Sequence, residues 1–213
     1  MNGLFLGGGP TIVHPSEHTI FISYSTNVTV NGINVSTYGI HNADGIDLAT
    51  TDTAYMFNST FDTGDDCVNL NAGTSAPGVT ENKPINNVRV FNVLTNRGHG
   101  GVVFGSFTGS DRGGGSTLVT ARDITMTSIA TDAILFDSNY PAGSHGLSNM
   151  QHNHINLTNV TLTKTKGASI DQFNTGVFTK LTFASNSQST VWAVSNSTGI
   201  SRVRLLALIP VAR

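Results

Sequence analysis

The sequence predicts an all-β solenoid, and three observations support that class. Pairs of apolar residues recur with offsets of 22 and then 34 residues: Ile46/Leu48, Val68/Leu70 and Val102/Phe104. Self-similarity with a period of about 20–50 residues is typical of solenoids, in which each repeat stacks on the next. Charged residues make up only 11% of the chain while glycine occurs 23 times, which suits short strands joined by tight turns. No segment shows the apolar period of a helix.

A second, longer alternation of apolar residues follows each of these short ones. Four segments have this pattern and are predicted to be strands: 53–61, 86–94, 120–128 and 154–163. Earlier in the chain, Asn31-Gly32 would ordinarily indicate a hairpin. The repeat favours a corner between two strands of the same coil instead. Asn87 and Asn159 suit such corners because asparagine tolerates left-handed backbone geometry.

We predict a single β-helix domain over residues 1–213, a length that can bury a sizeable core. Residues 1–10 are rich in glycine and are expected to be poorly ordered. Residues 201–213 change abruptly in composition and are interpreted as an atypical tail, which could cap the solenoid. The first residues lack a basic segment followed by an apolar one, so no signal peptide is predicted there.

Composition and charge argue against several classes of function. The net charge of −2 gives no reason to expect nucleic acid or an anionic membrane as a partner. No run of about 18 apolar residues exists that could span a membrane. The single cysteine, Cys67, excludes a disulfide within the chain and is expected to fill a turn or the core.

Two acidic clusters stand just before the repeated apolar pairs. Asp44 precedes Ile46 by the same interval that separates Asp66 from Val68, so the two carboxylates are predicted to stack on adjacent coils, about 4.8 Å apart. Carboxylates at that distance repel each other unless they share a proton, water or substrate. An aspartate that caps a corner is the alternative for each acid, and we favour it for Asp47 alone.

A histidine completes the predicted constellation. The offset of 34 residues places His99 over Asp65 and Gly100 over Asp66. Carboxylates beside a histidine are typical of sites for general acid–base catalysis. The other histidines, His18 among them, show no pattern that indicates a partner, and nothing in the sequence predicts a metal site.

These segments resemble the motifs of glycoside hydrolase family 28, the polygalacturonase family. The matching segments, in the family's order and spacing, are Asn42-Ala43-Asp44, Gly64-Asp65-Asp66-Cys67 and Gly98-His99-Gly100, and the resemblance is clear over residues 11–140. It implies a right-handed parallel β-helix and inverting hydrolysis of α-1,4-galacturonosidic bonds in pectin, without a cofactor. It also implies that Asp65 is the proton donor, that Asp44 and Asp66 activate water, and that His99 supports the acid.

The resemblance further implies the setting of the protein. A pectic polysaccharide is the expected partner, the chain is expected to be a monomer, and the location is expected to be secreted or periplasmic. Asn42, Gly98 and Gly100 are candidate substrate-binding residues. Family members are longer and begin with coils that are absent here, so we expect a fragment or a shortened bacterial-type member. The loop over residues 73–84 weakly favours exo action.

One family motif, Arg-x-Lys, has no counterpart in this sequence. By spacing, Leu135 and Asp137 occupy its positions. By local similarity, residues 123–140 resemble the coil after that motif, and residues 106–116 mark a deleted coil. Arg97 and Arg112 are candidate substitutes because a guanidinium group can bind a carboxylate through two hydrogen bonds, and the alternative is that both are ordinary surface arginines.

Three functions therefore stay open at this point. The first is pectin hydrolysis, which the retained acids and His99 favour. The second is a catalytically impaired β-helix that only binds glycan. The third is a hydrolase for a less charged pectic glycan, because the missing Arg-x-Lys motif would otherwise contact the substrate carboxylate.

Overall fold

A computed structural model describes residues 1–72, 83–105, 116–137, 152–153, 155–163, 168–171, 176–184, 192–195 and 200–209. Every regular element in these ranges is a β-strand. The described residues include no helix that could cross a membrane. Arg112, one of the two candidate clamp arginines, lies outside the described residues.

The strands, numbered along the chain, form two sheets. Sheet A contains β1 (Asn2–Gly7), β2 (Thr11–Val13), β4 (Thr26–Asn31), β5 (Asn34–Ser36), β7 (Asp52–Asp62), β9 (Ile85–Thr95), β11 (Ser116–Thr117), β12 (Thr120–Thr127), β14 (His152–Asn153), β15 (Ile155–Thr163), β17 (Gly176–Ala184) and β19 (Ile200–Ile209). Sheet B contains β3 (Phe21–Ser23), β6 (Ile46–Ala49), β8 (Val68–Asn71), β10 (Val102–Gly105), β13 (Ile134–Asp137), β16 (Ala168–Asp171) and β18 (Trp192–Ser195).

Strand pairing follows the order of the chain in both sheets, and the described pairings are parallel. Each strand therefore pairs with its counterpart one coil later, which is the topology of a parallel β-helix. The predicted register is confirmed: Ile46 pairs with Val68, and Val68 pairs with Val102. The four predicted longer strands correspond to β7, β9, β12 and β15.

The core lies between the two sheets, where inward side chains form ladders along the helix axis. Sheet B contributes a ladder of buried residues that comprises Ile46, Val68, Val102 and Ile134. Sheet A contributes a second ladder that comprises Val30, Met56, Val90, Ala121 and Leu157. Each large side chain buried in this way stabilises the fold by about 1.5–3 kcal/mol. These ladders fix the register of the polar residues that precede sheet B.

The predicted corner lies between β4 and β5, and asparagines occupy several left-handed backbone positions. Gly32, with φ +68°, separates β4 from β5, and both strands pair parallel to β7, so Asn31-Gly32 is a corner and not a hairpin. Asn58 donates a side-chain hydrogen bond to Asn31 on the preceding coil, and Asn92 donates one to Asn58. Asn87 and Asn159 have left-handed φ values of 51° and 54°, as predicted, but they lie inside β9 and β15 and not between strands.

Residues 1–10, which were expected to be poorly ordered, include a strand. Residues 2–7 form β1, which pairs with β4, and Leu4 and Leu6 pack against the core. Hydrogen bonding and apolar contact there outweigh the flexibility that the glycines introduce. In the predicted tail, residues 201–209 belong to β19 and continue sheet A beside β17.

Candidate active site

The acidic residues lie in the corners that lead into sheet B. Gly45 N donates to Asp66 O at 2.8 Å, and Cys67 N donates to Gly100 O at 2.8 Å, so these corners stack in the register of the strands that follow. Asp65 N donates to Ala43 O at 3.3 Å and His99 N donates to Asp65 O at 3.0 Å. The corners therefore place Asp44 beside Asp66, and Asp65 beside His99, as the repeat predicted.

Asp65, Asp66 and His99 form the first of two clusters, here called the open cluster. His99 Nδ1 lies 3.7 Å from Asp65 Oδ1 and 3.7 Å from Asp66 Oδ1, which is longer than a hydrogen bond. The Asp65 side chain is 30% exposed, whereas that of Asp66 is only 8% exposed. Asp66 Oδ1 is buried and has no hydrogen-bond partner among the described residues. Buried polar atoms are normally paired, so this oxygen can accept a hydrogen bond from water or a ligand.

Proton affinities in the open cluster are perturbed by burial and by neighbouring charge. Burial, reinforced by the charge of Asp66, raises the pKa of Asp65. The adjacent Asp66 carboxylate is the largest influence that raises the pKa of His99. Asp65 therefore keeps its proton to higher pH than an ordinary aspartate, and His99 keeps its positive charge to higher pH than an ordinary histidine.

Gly100 provides the space that the Asp66 carboxylate occupies. A Cβ atom at position 100 would lie 2.6 Å from Asp66 Oδ1 and would also collide with Val103 Cγ2. Gly98 is restricted in a similar way, because a Cβ there would lie 2.7 Å from Cys67 Sγ and 2.8 Å from Asp65 O. The two glycines, predicted as substrate-binding residues, have a clear packing role in the described structure.

A second group of side chains, here called the closed cluster, comprises His18, Asp44, Asp47 and Asn69. His18 Nδ1 lies 3.1 Å from Asp47 Oδ2 and 3.5 Å from Asp44 Oδ1. Asn69 Nδ2 donates a hydrogen bond of 3.0 Å to Asp47 Oδ1. Asp44 and Asp47 are buried, with side chains 7% and 1% exposed. Each Asp47 oxygen therefore has a donor next to it.

Sequence reasoning missed this cluster. Asp47 was expected to cap a corner, which is wrong: it lies within β6, in register with Phe21 of β3 and with Asn69 of β8. The same register carries back along the chain and puts His18 beside Asp44. The signal that could have found this cluster is the offset between the coil of His18 and the coil of Asp44. This offset differs in length from the later ones and was not used.

Burial is the main reason why the acids of the closed cluster resist ionisation. It raises the pKa of Asp44 to about 9, and the charges of Asp47, Asp66 and Asp65 add to the effect. Burial also raises the pKa of Asp47, although His18 and Asn69 oppose the shift. Because these groups interact strongly, protons are lost from the set as a whole. One or more of the carboxyl groups is protonated at neutral pH.

The remaining predicted site residues are placed less centrally. Asn42 occupies an exposed left-handed position, with φ 53°, two residues before Asp44. The Arg97 guanidinium donates two hydrogen bonds to Asp62, at 2.8 and 2.6 Å, and lies 3.8 Å above the ring centroid of Tyr38. The donors that Arg97 would offer to a substrate carboxylate are thus partly engaged.

Two other sequence interpretations can be compared with the structure. Cys67 is fully buried, and burial raises the pKa of its thiol to about 12, which agrees with a core role. The trios His18/Asp44/Asp47 and Asp65/Asp66/His99 each offer three possible metal-ligand atoms within 4.8 Å of one another. Because acids and histidines also cluster in this way without an ion, the absence of a metal site stays a prediction.

The fold and site together define a class of protein: a right-handed parallel β-helix with carboxylates and histidines gathered where successive sheet B strands begin. Within that class, the chain belongs to the glycosyl hydrolases family 28, whose family model matches residues 11–121. The family resemblance inferred from the three motifs is confirmed.

Two known proteins are similar to this chain. An exo-poly-α-D-galacturonosidase from Dickeya chrysanthemi is 33% identical over 140 residues, which are 64% of this chain and 22% of that protein. The structure of a family 28 exopolygalacturonase from Yersinia enterocolitica superposes with a TM-score of 0.50 at 21% identity, over 89% of this chain and 44% of that one. This second likeness supports the right-handed β-helix fold. The chain thus spans about a fifth of its curated relative's length.

Proposed function

We propose that the chain carries the acid–base site of a polygalacturonase-type enzyme, which hydrolyses α-1,4-galacturonosidic bonds in pectin with inversion. The observation that carries this proposal is the convergence of Asp44, Asp65 and Asp66 with His99 from three successive coils. Membership of family 28 and the name of the Dickeya relative support the substrate class. Both similar proteins are described as exo-acting, which supports exo action here.

Asp65 is suited to be the general acid. Its side chain is the most exposed of the three carboxyl groups, and its raised pKa keeps a proton available for the leaving oxygen. His99 lies beside Asp65 and Asp66, and its positive charge favours the ionised form of whichever carboxyl group loses its proton. The imidazolium therefore stabilises the charge that remains on Asp65 after proton transfer.

Asp66 is suited to accept a proton from water, since Asp66 Oδ1 has no partner among the described residues. Asp44 is its neighbour on the preceding coil and shares the task of orienting that water. An inverting mechanism needs room for the water, so we expect acid and base carboxyl groups to be about 6.5–9.5 Å apart with substrate bound. No organic cofactor takes part in these steps.

Hydrolysis of a polyanion by this chain is expected to be slow. The described groups recorded around Asp44, Asp65 and Asp66 are acids and histidines, and Arg97 is held by Asp62. Strand β13, which follows the His99 coil, carries Ile-Leu-Phe-Asp where an Arg-x-Lys clamp would be expected by spacing. A lost charge-assisted hydrogen bond costs about 1.5–3 kcal/mol. This deficit also favours, as a second candidate, a less charged pectic glycan as substrate.

Release of reducing sugar from polygalacturonate and from a neutral pectic galactan, side by side, tests the proposal. We expect weak activity on polygalacturonate, and insertion of an Arg-x-Lys coil between Ser106 and Arg112 should increase it. Asp65→Asn should abolish either activity, while Asp52→Asn, at an acid on sheet A, serves as the matched charge control. Hydrolysis that persists unchanged in Asp65→Asn would overturn the assignment. Faster release from galactan than from polygalacturonate would favour the second candidate.

The setting of the protein is part of the same proposal. A pectic polysaccharide is the partner that the site would bind, since the proposed reaction takes place on it. We propose that the protein acts as a monomer, and that it acts outside the cytoplasm, where such polymers are met.

A further inference from the structure

The closed cluster contains two side chains, His18 and Asp47, to which the proposed mechanism gives no role. Both lie next to Asp44, which the proposed mechanism uses. His18 Nδ1 faces two carboxyl oxygens at once, at 3.1 Å on Asp47 and 3.5 Å on Asp44. The nearer oxygen, on Asp47, lies within hydrogen-bond distance, and Asn69 donates to the other oxygen of Asp47, so we assign the tautomer that carries the hydrogen on Nδ1.

The other contacts of the cluster hold this arrangement in place. Asp47 is 1% exposed, and Asn69 donates to the oxygen that His18 does not contact. Asp47 is therefore fixed by one donor from each neighbouring coil. The Phe21 ring stands edge-on to the His18 ring, with centroids 6.2 Å apart, and limits the positions that the imidazole can adopt.

We propose that His18 and Asp47 form a positioning pair for Asp44. Asn69 orients Asp47, Asp47 accepts the Nδ1–H of His18, and the imidazole so held lies 3.5 Å from Asp44 Oδ1, on the coil that precedes the site. The pair thereby sets both the direction of the Asp44 carboxyl group and its share of the protons in the site. This proposal rests on the proposed function only for the consequence in catalysis.

The two partners act on Asp44 with opposite sign. The Nδ1–H dipole of His18 favours ionised Asp44, whereas the negative charge of Asp47 disfavours it. Asp66 and Asp65 face Asp44 from the next coil and disfavour its ionisation as well. His18 in turn faces Asp44, Asp47 and the uncharged Phe21 ring. A residue that merely filled space would not produce opposed shifts when each partner is removed in turn.

The test is a pH titration of the Asp44 side-chain carboxyl by carbon-detected NMR, which requires no activity. In His18→Leu we expect the Asp44 midpoint to rise by about one pH unit, a tenfold change in its proton-binding constant. In Asp47→Asn we expect the midpoint to fall by a similar amount. His18→Asn keeps a donor near the Nδ1 position, so it should leave the midpoint close to that of wild type and preserve the chemical shift of the Asp47 carboxyl.

His14→Asn is the matched control, because His14 is an exposed histidine of the same segment and has a left-handed φ of 52°, which asparagine tolerates. It should leave the Asp44 midpoint where it is. His18 is half-exposed, so its replacement should not unfold the protein. An Asp44 midpoint that is the same in wild type, His18→Leu and Asp47→Asn would overturn the proposal, whatever the substrate proves to be.

Where hydrolysis is measurable, His18→Leu should lower kcat about tenfold with KM within about twofold, because the pair acts through Asp44 and does not contact substrate. In the pH profile of kcat for His18→Leu, the limb at low pH should move to higher pH, as the NMR midpoint of Asp44 does. Shifted titration without any change in kcat would show that Asp44 is not used in the reaction, which would count against the proposed function and leave the positioning pair intact.

Discussion

The open cluster and the closed cluster each contain two aspartates and one histidine, to which the closed cluster adds Asn69, and they differ in how the hydrogen-bonding capacity of a buried carboxyl group is met. Each has one half-exposed histidine whose Nδ1 faces two carboxyl groups. In the closed cluster both oxygens of Asp47 have a nearby donor, at 3.0 and 3.1 Å. In the open cluster the histidine stands 3.7 Å from its acids, and Asp66 Oδ1 has no partner among the described residues.

The difference shows which cluster is prepared to meet a ligand. A buried carboxylate oxygen without a donor is costly, and the cost is recovered when water or substrate supplies the missing hydrogen bond. A carboxylate whose oxygens already have donors gains little from a ligand. We therefore propose that Asp66 of the open cluster takes part in proton transfer, whereas Asp47 of the closed cluster orients its neighbours. The following predictions test that division, from the largest expected effect to the smallest.

Among the variants that compare the two clusters, Asp66→Asn should cause the largest loss of activity. An amide cannot accept a proton from water, and proton transfer by a positioned group contributes about 10²–10⁴-fold to rate. Asp47→Asn, in the closed cluster, should cost no more than about tenfold, because it changes the environment of Asp44 and leaves the reacting groups in place. Rates of sugar release from polygalacturonate check both values. Equal losses in the two variants would contradict the division between the clusters.

Gly100→Ala should lower kcat by about 100-fold, since a displacement of about 1 Å in a reacting group has an effect of that order. The added methyl group would meet Val103 Cγ2 and, at 2.6 Å, Asp66 Oδ1. Gly101→Ala is the control. Its methyl group would meet Met126 Sδ at 2.6 Å and the Ala133 carbonyl oxygen, away from Asp66.

Both glycine variants should be destabilised by about 1–3 kcal/mol, as overpacked sites usually are. Only Gly100→Ala should lose activity per folded molecule, measured as kcat after correction for the folded fraction. A matching loss of kcat in Gly101→Ala would mean that general distortion of the coils, and not displacement of Asp66, explains the result.

Asp44→Asn should stabilise the protein relative to wild type, and this difference in stability should grow as pH rises. The folded-state pKa of Asp44 is about 9, far above the ordinary value of 3.8. Below pH 3.8 both folded and unfolded states bind the proton, so wild type and variant should then differ little. Between pH 3.8 and 9 the unfolded state releases the proton while the folded state retains it, so wild-type stability falls as pH rises.

An asparagine at position 44 needs no proton, so its advantage should grow between pH 4 and pH 8. We expect a gain of about 0.5–2 kcal/mol at pH 8, the usual range for relief of a strained site. For a chain of this size that corresponds to a Tm increase of about 1–8 °C. Thermal melting at the two pH values measures it. A gain that is largest at pH 4 would have the wrong sign.

Arg97→Gln should have the smallest effect. The Arg97–Asp62 ion pair lies on the surface, where such pairs stabilise a fold by about 0.2–1 kcal/mol. If the guanidinium stays with Asp62 during the reaction, KM for polygalacturonate should change by less than about twofold. A tenfold increase in KM would instead show that Arg97 leaves Asp62 to bind the substrate carboxylate, as the sequence analysis proposed.

Much of the fold could be predicted because the residues that form it repeat. Ile46, Val68 and Val102 are inward residues of one ladder, and the offsets between them also position the polar residues a few places earlier. Asp44, Asp66 and Gly100 were found by this rule, and so was His99 over Asp65. Asn31-Gly32 was interpreted correctly as a corner for the same reason, since a hairpin would have broken the repeat.

The closed cluster could not be predicted in this way. Asp47 reads as one more aspartate near a corner, and only its pairing with Phe21 shows that it belongs to a strand. His18 lies on a coil whose offset differs from the later ones, so no single period relates it to Asp44. The strand over residues 2–7 was missed for a related reason. Its hydrogen bonds come from β4, and the glycine content of the segment does not indicate them.

The sequence by itself determined the solenoid, its register and the three acids with His99, because apolar periodicity and motif spacing are local properties of the chain. The tertiary structure decided which of those groups have hydrogen-bond partners. Asp47 lies within hydrogen-bond distance of Asn69 and His18, Arg97 donates to Asp62, and Asp66 Oδ1 has no partner among the described residues. Partners come from neighbouring coils through side-chain positions that no spacing rule specifies. Burial, and with it the raised pKa of Asp44, depends on the same packing.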